Sequence, residues 1–261
     1  MGGARATLGD GRSRARGRDG TARVAAPVPG GGCAALHRAA RRRVGAAARG
    51  RTGDRPPAHR RATPRHRVPR PGPGLAADLG RTLAAIHELP VSVIETCGLP
   101  SYTADVYRER RLVELDEAAA TGRVPTPLLR RWEAALEDVA LWRFRPVVVH
   151  GDLAADQVLV AGGRVAAVTG WSDARVADPA DDLAWLLVAA PPDAVDSIME
   201  AYQLRRTELQ DPRLVDRALL VGELALARWL LHGVRQGLPE VVADAEAMLT
   251  DLDEATREDA S

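Results

Sequence analysis

The segment HGDLAADQVLV, residues 150–160, decides the fold of this chain. It follows a β-branched run, residues 147–149, and its own apolar end is followed by Ala161-Gly162-Gly163-Arg164 and a second apolar run at 165–168. Two short apolar runs around a Gly-containing turn are typical of a β-hairpin. Asp152 is therefore predicted to lie in a loop between short strands.

Around this block the apolar residues recur at helical spacing, which predicts helices on both sides. We predict helices at 75–90, 102–120, 127–140, 181–190, 194–204, 212–234 and 239–252. The fold class is α+β, mostly helical with a small β-hairpin. We expect Trp185 and Trp229 to pack in the core. The apolar run at 217–234 is interrupted by Glu223 and Arg228 and falls short of a bilayer span, so we expect no membrane attachment.

The first 74 residues differ in composition from the rest. They hold 18 Arg against three acidic residues, and no aromatic residue precedes Tyr102. Such a segment lacks the large side chains that a core requires. We interpret residues 1–74 as a largely disordered segment or as an out-of-frame reading of a G/C-rich gene. A basic arm for nucleic acid is the rival interpretation; because stacking aromatics are absent, we do not expect nucleic acid as a partner.

Residues 75–261 carry 32 acidic residues against 18 Arg. This acidic surplus could attract a cationic substrate, although solvated surface acids explain it equally well. Cys33 and Cys97 are isolated thiols without metal-ligand spacing, which fits a reduced, cytoplasmic location. The chain contains no Lys.

The loop resembles the catalytic loop of kinases, H-x-D-L-x-x-x-N, in which the Asp accepts the proton of the attacking hydroxyl and the Asn helps to hold magnesium. Asp152 matches the base, although an Asp after a strand can also simply cap the following turn. Gln157 replaces the Asn with a side chain one methylene longer, and metal sites are sensitive to such a shift. His150 is expected to brace the loop through hydrogen bonds.

A second segment, WSDARVADPADDLAW at 171–185, extends the resemblance. Together the two segments resemble the C-terminal lobe of aminoglycoside and macrolide phosphotransferases. The resemblance implies a protein-kinase-like lobe over residues 75–261. It also implies ATP (or GTP) and magnesium as cofactors, and phosphorylation of a hydroxyl on a small molecule, an aminoglycoside or macrolide antibiotic.

The family's site residues transfer unevenly. Asp152 matches the catalytic base, and Gln157 stands at one metal position. The second metal ligand of the family is the Asp of an I-D-W triplet, where this chain has Gly170, so Asp173 is the remaining candidate ligand. Asp178 and Asp182 match the D-P-x-x-D element, which implies that they brace the loop and the start of the following helix.

The nucleotide side has no counterpart in this sequence. Kinases pair a strand-borne Lys with the phosphates beneath a Gly-rich loop, and neither feature is present. We therefore assign no nucleotide-binding residue. The alternative function is a catalytically dead, kinase-derived binding protein that keeps the helical pocket without the phosphate machinery.

Overall fold

The structure, a computed structural model, describes residues 73–208 and 210–258. Among these it has eight α-helices and four short β-strands. The helices are α1 (Pro73–His87), α2 (Ser92–Thr96), α3 (Ala104–Ala120), α4 (Thr126–Glu137), α5 (Ala180–Ala189), α6 (Pro192–Arg205), α7 (Leu214–Gln236) and α8 (Pro239–Glu258). The strands are β1 (Val147–Val149), β2 (Val158–Ala161), β3 (Arg164–Val168) and β4 (Arg175–Ala177). The prediction of a mostly helical α+β fold is confirmed.

The strands form two antiparallel pairs. Strands β2 and β3 make the predicted hairpin. Its turn residues Gly162 and Gly163 have φ values of 59° and 73°, the left-handed region that a two-residue hairpin turn requires. Strand β1 pairs with β4, with Val148 opposite Val176. The sequence analysis missed β4 because its three residues lie inside a polar motif.

Strand β1 joins the two hydrophobic cores of the lobe. Val148 packs into one core with α1, α5 and α6, whereas Val147 and Val149 pack into the other with α3, α4, α7 and α8. Successive side chains of a strand point to opposite faces, so a run of three valines can serve both cores. The strand thereby fixes the position of the loop that begins at His150.

Helix α1 is held against the rest of the lobe by close packing and by one buried carboxylate. A Cβ at Gly80 would lie 2.1 Å from the backbone oxygen of Ile198, so only glycine allows this approach of α1 and α6. Asp78, 3% exposed, accepts a hydrogen bond from the backbone N–H of Val165 at 2.8 Å. Helix α1 is therefore tied to both α6 and the hairpin.

One residue expected in the core lies on the surface. Trp229 is 40% exposed, stacks on His232 and donates its indole N–H to Asp244 at 2.9 Å. Helical spacing alone misplaced it because it falls at the edge of the apolar face of α7. Trp185 is partly buried against the core that contains Val148.

Within 73–208 and 210–258, no helix is long and apolar enough to cross a membrane. The predicted segment 1–74 lies outside the described residues except for its last two, which begin α1.

Candidate active site

The loop after β1 is anchored by a single buried carboxylate. Asp182, in the first turn of α5 and fully buried, accepts the backbone N–H of His150 at 2.7 Å and that of Gly151 at 2.8 Å. Its Oδ2 also lies 3.2 Å from Nε2 of His87. A carboxylate that receives several N–H donors holds them in one geometry. Asp182 therefore links the turn before Asp152 to α5 and α1.

Gly151 is required by the close packing of this turn. Its φ is +89°, and a Cβ would lie 2.3 Å from the backbone oxygen of Asp173 and 2.4 Å from Nη1 of Arg175. No L side chain fits such a position without displacing backbone. The glycine brings the catalytic-loop candidate directly against the segment that contains Asp173.

His150 is fully buried behind the loop. Its Nε2 donates to the backbone oxygen of Thr169 at 2.7 Å, and its ring packs 4.8 Å from that of Trp171. Among the described residues Nδ1 has no hydrogen-bond partner. The imidazole thus connects the loop to the segment after β3 and does not face the solvent.

Asp152 itself is exposed and lines a cavity of about 730 Å³. Its carboxylate makes no hydrogen bond or ion pair with any residue of 73–208 or 210–258. Asp173 lines the same cavity and is exposed, and its Oδ2 accepts the hydroxyl of Ser172 at 2.9 Å. The structure therefore brings two of the predicted site residues, Asp152 and Asp173, to one cavity.

Gln157 does not line that cavity. Its Oε1 accepts the backbone N–H of Ala154 at 3.3 Å. Its amide also occupies the space beside Gly170, where a Cβ would lie 3.0 Å from both Cδ and Nε2 of Gln157. No group of three or more His, Cys, Asp or Glu side chains that could hold a metal ion occurs within the described part of the chain.

Asp178 forms a fully buried ion pair with Arg217. Its oxygens lie 2.6 and 3.2 Å from the guanidinium of Arg217, and both side chains are fully buried. It also accepts the backbone N–H of Ala180 at 3.0 Å, at the start of α5. Burial raises the pKa of Asp178 to about 6, although Arg217 and the Ala180 amide act in the opposite direction. Asp178 lies behind the site and does not line the cavity.

A cluster around Asp181 forms one wall of the cavity. Arg175 contacts Asp181 at 2.6 Å, Arg111 does so at 3.2 Å, and the hydroxyl of Tyr107 donates to the same carboxylate. Burial by itself would raise the pKa of Asp181, but Arg111 and Arg175 outweigh it and lower the pKa below its ordinary value. Arg175 also donates to the backbone oxygens of Gly151 at 3.2 Å and Asp173 at 3.0 Å, so it clamps both loops.

Sequence reasoning missed this cluster and the partner of Asp178. Arg175 belongs to the quoted motif, which was a usable signal. Tyr107 and Arg111 lie one turn apart on α3, and Arg217 lies on α7, each far along the chain from its carboxylate partner. No local pattern marks them, because their partners are brought near only by the fold.

The cavity does not share the acidic character of the lobe as a whole. Its arginines are Arg110, Arg111, Arg175 and Arg228. Its carboxylates are Glu114, Asp152, Asp173 and Asp181. The formal charges balance, so the acidic surplus of residues 75–261 is not concentrated at this site. The expectation that it could draw in a cationic substrate is not supported at the cavity.

A helical lobe with an H-G-D loop between a buried strand and a hairpin defines a kinase-like phosphotransferase lobe. The chain belongs to the phosphotransferase enzyme family APH, whose family model matches residues 55–216. The resemblance stated from the motifs is thereby confirmed.

Individual relatives agree with this assignment. A macrolide 2′-phosphotransferase type I is 29% identical with a TM-score of 0.65, over 74% of this chain and 64% of that one. The apoenzyme of macrolide 2′-phosphotransferase MphH from Brachybacterium faecium is 26% identical with a TM-score of 0.62, over 69% and 60%. The GDP and kanamycin complex of APH(2")-IIia shares the fold at 19% identity and a TM-score of 0.57, over 70% and 64%.

Among curated proteins, the uncharacterized protein YcbJ of Bacillus subtilis (strain 168) is 27% identical over 113 residues. The match covers 43% of this chain and 37% of YcbJ. The chain therefore spans less than two thirds of the length of each of these proteins.

Proposed function

We propose that this chain carries the acceptor side of an ATP- or GTP-dependent O-phosphotransferase that acts on a hydroxyl of a small molecule. The observation that carries the proposal is Asp152: an exposed, unpaired carboxylate on a rigidly anchored loop at the wall of a cavity of about 730 Å³. Because similar structures are named as macrolide phosphotransferases, macrolide antibiotics are the first acceptors to test, followed by aminoglycosides.

In this proposal Asp152 acts as the general base. It accepts the proton of the acceptor hydroxyl while that oxygen forms a bond to the γ-phosphorus and the bond between the γ-phosphorus and the β,γ-bridging oxygen breaks, releasing ADP or GDP. The protein mainly contributes position and charge to such a transfer. Asp182 and Arg175 hold the backbone of the loop, and His150 ties it to Thr169. These contacts support loop-bracing roles for His150 and Asp182, and a brace at the start of α5 for Asp178.

The family also implies magnesium, for which Gln157 and Asp173 are the predicted ligands. The described residues do not fit this ion as they lie. The Gln157 amide is engaged by Ala154 and packed beside Gly170, and the Asp173 carboxylate belongs to no group of three or more His, Cys, Asp or Glu side chains among the described residues. We therefore derive no step through the ion.

The poor fit of Gln157 and Asp173 to a magnesium ion favours a second candidate function, a catalytically inactive, kinase-derived binding protein. Here the loop and the cavity persist, while Gln157 and Gly170 have replaced the residues with which relatives of this type clamp a metal. The absence of Lys from the whole sequence supports this candidate independently, because kinases use a Lys to pair with the nucleotide phosphates.

The deciding experiment is a steady-state assay of ADP or GDP formation by the purified full chain. Nucleotide, magnesium chloride and either a macrolide or kanamycin are supplied, with EDTA in place of magnesium as a parallel arm. Acceptor-dependent turnover that is lost in Asp152→Asn and kept in Asp156→Asn supports the enzyme. Acceptor binding by calorimetry without turnover with either nucleotide supports the binding protein and refutes the enzyme.

A further inference from the structure

Arg228 is the unusual member of the cavity wall. It projects from α7 between the cavity that contains Asp152 and a neighbouring groove beneath α3. Its side chain makes no hydrogen bond or ion pair with any described residue, and its Nη1 is buried. Burial, together with the neighbouring guanidinium of Arg111, lowers the pKa of Arg228. A guanidinium held in this way lacks the anion that normally accompanies a buried arginine.

The carboxylates near Arg228 are already paired with other arginines. Asp181 is shared by Arg175 and Arg111, and Glu114 accepts Arg111 at 2.7 Å. Neither acid forms an ion pair with Arg228. Asp181 and Glu114 therefore attract Arg228 only at longer range, and this attraction does not offset the effect of burial and of Arg111 on its pKa.

A second arginine at the cavity, Arg110, is exposed and also lacks an ion pair. The guanidinium of Arg110 lies 4.8 Å from the centroid of the Tyr102 ring and forms no ion pair with a described carboxylate. Both residues line the cavity. Stacking on an aromatic face leaves the N–H edge of an arginine free for a carboxylate. Arg110 and Arg228 thus offer donors without acceptors.

The apolar part of the wall shows the same lack of an acceptor. Trp185 lines the cavity, and its indole Nε1 is buried without a hydrogen-bond partner among the described residues. An indole N–H is a donor only, so an ammonium group cannot be its partner. The two cavity carboxylates without an ion pair, Asp152 and Asp173, belong to the loops of the site and not to helices α3 and α7.

We propose that the small molecule bound in this cavity carries a carboxylate, which Arg228 binds together with Arg110 while a hydroxyl of the same molecule faces Asp152. The position of the hydroxyl rests on the proposed function, whereas the carboxylate follows from the cavity alone. Within the small-molecule acceptors, this selects hydroxylated acids and disfavours polycationic amino sugars. An Arg–carboxylate pair in a partly buried wall supplies both attraction and orientation.

The test uses two nitrophenyl glycosides that differ at one carbon of the sugar. 4-Nitrophenyl β-D-glucuronide carries a carboxylate where 4-nitrophenyl β-D-glucopyranoside carries a hydroxymethyl group. Binding of each probe, and of kanamycin, to the full chain is measured by calorimetry without nucleotide. We expect the glucuronide to bind at least about tenfold more tightly than the glucoside, and kanamycin to bind more weakly than the glucuronide.

Arg228→Gln should remove the preference for the glucuronide and leave the affinity for the glucoside unchanged. Arg235→Gln is the matched control, because Arg235 lies on the same helix, is paired with Glu117 at the surface and does not line this cavity. Since Arg228 has no partner to lose, the variant should fold; its thermal unfolding is recorded alongside. Should it not fold, Arg110→Gln replaces it, with an expected loss of about threefold in glucuronide affinity.

Equal affinity for the two glycosides, no measurable binding of the glucuronide, tighter binding of kanamycin, or a preference that survives Arg228→Gln would overturn the inference. Nucleotide turnover is not part of this readout. A carboxylate preference in a chain that forms no ADP would refute the proposed enzyme while supporting the inference. Turnover with kanamycin by a chain that does not prefer the glucuronide would support the proposed enzyme and refute the inference.

Discussion

The side chain of Gln157 lies in tight contact with the position where a side chain at residue 170 would begin. A Cβ at Gly170 would be 3.0 Å from Cδ and from Nε2 of Gln157 and 3.3 Å from its Cγ. Gly170 also has a φ of +79°, so a residue with a side chain would be strained there even in open space. The two departures from the family pattern are therefore coupled: the longer amide fills the room that the glycine leaves.

This coupling makes a prediction about restoring the carboxylate. Gly170→Asp alone should lower the free energy of unfolding by about 2 to 3 kcal/mol, because backbone strain and overlap with Gln157 add together. Adding Gln157→Asn should recover roughly half of that loss by withdrawing the overlapping atoms. Denaturant unfolding of the two single variants and the double variant measures the interaction.

Gly162→Asp is the matched control, because Gly162 has a φ of +59° and nothing lies within 4 Å of its Cβ position. It should cost only the backbone strain, about 1 kcal/mol, and adding Gln157→Asn should not change that cost. Equal costs for Gly162→Asp and Gly170→Asp would show that Gln157 does not obstruct position 170.

Asp152 should matter for turnover and not for folding. Its carboxylate is exposed and has no described partner, so Asp152→Asn should change the free energy of unfolding by less than about 0.5 kcal/mol. If the chain is an active phosphotransferase, the same substitution should lower kcat by roughly 100- to 10,000-fold, since a positioned base contributes on that order. Nucleotide turnover and denaturant unfolding are measured on the same preparation. A large loss of stability would place Asp152 in the structural framework instead.

Asp182 should matter for the stability of the fold and of the loop that begins at His150. Asp182→Asn replaces one carboxylate oxygen with an NH₂ group, so only one of the backbone N–H groups of His150 and Gly151 keeps its acceptor, and we expect a loss of about 3 kcal/mol. Amide hydrogen exchange at residues 150–157 should become faster. Asp196→Asn on α6 is the control, because Asp196 is exposed and has no described partner. Unchanged exchange in the loop would contradict the bracing role.

Asp181 predicts a pH dependence of stability. Its pKa is lower in the folded chain than the ordinary value of 3.8, so its contribution is fully present above that pH and is lost as the pH falls through the folded-state pKa. At pH 7, Asp181→Asn should cost about 3 kcal/mol because Arg111 and Arg175 lose a buried partner. The difference between the wild type and the variant should shrink below pH 3.8.

Unfolding at pH 7 and near pH 3 measures this difference. Asp216→Asn at the surface of α7 provides the control, since Asp216 contacts Arg213 with both side chains about half exposed. It should have little effect at either pH. A cost of Asp181→Asn that is the same at both pH values would exclude the lowered pKa.

Gly80 tests the packing of α1 against α6. Alanine normally favours a helix over glycine, but here its Cβ would lie 2.1 Å from a backbone oxygen, so Gly80→Ala should cost about 3 kcal/mol. Gly74→Ala in the first turn of the same helix, where nothing lies within 4 Å, should stabilise by about 0.5 kcal/mol. Thermal unfolding of the two variants should therefore shift in opposite directions.

The sequence by itself predicted the local elements of this protein. The hairpin at 158–168 and the helices follow from periodicity, because a period of 2 or 3.6 residues reports which face of an element is buried. The H-G-D loop and the W-S-D-A-R-V-A-D-P segment identified the family, because residues close in the chain form both. Strand β4, the short helix α2 and the surface position of Trp229 were not predicted, because such short elements and the edge of one helix carry too little periodicity.

Only the tertiary structure decided which side chains act together. Asp178 meets Arg217 across 39 positions, Asp181 meets Arg111 across 70, and neither spacing is visible in a local pattern. The coupling of Gln157 to Gly170, and the unpaired state of Arg228, likewise depend on which atoms the fold places within a few ångströms. Periodicity fixes which face of an element is buried, whereas ion pairs and steric contacts depend on distances that exist only once the helices have packed.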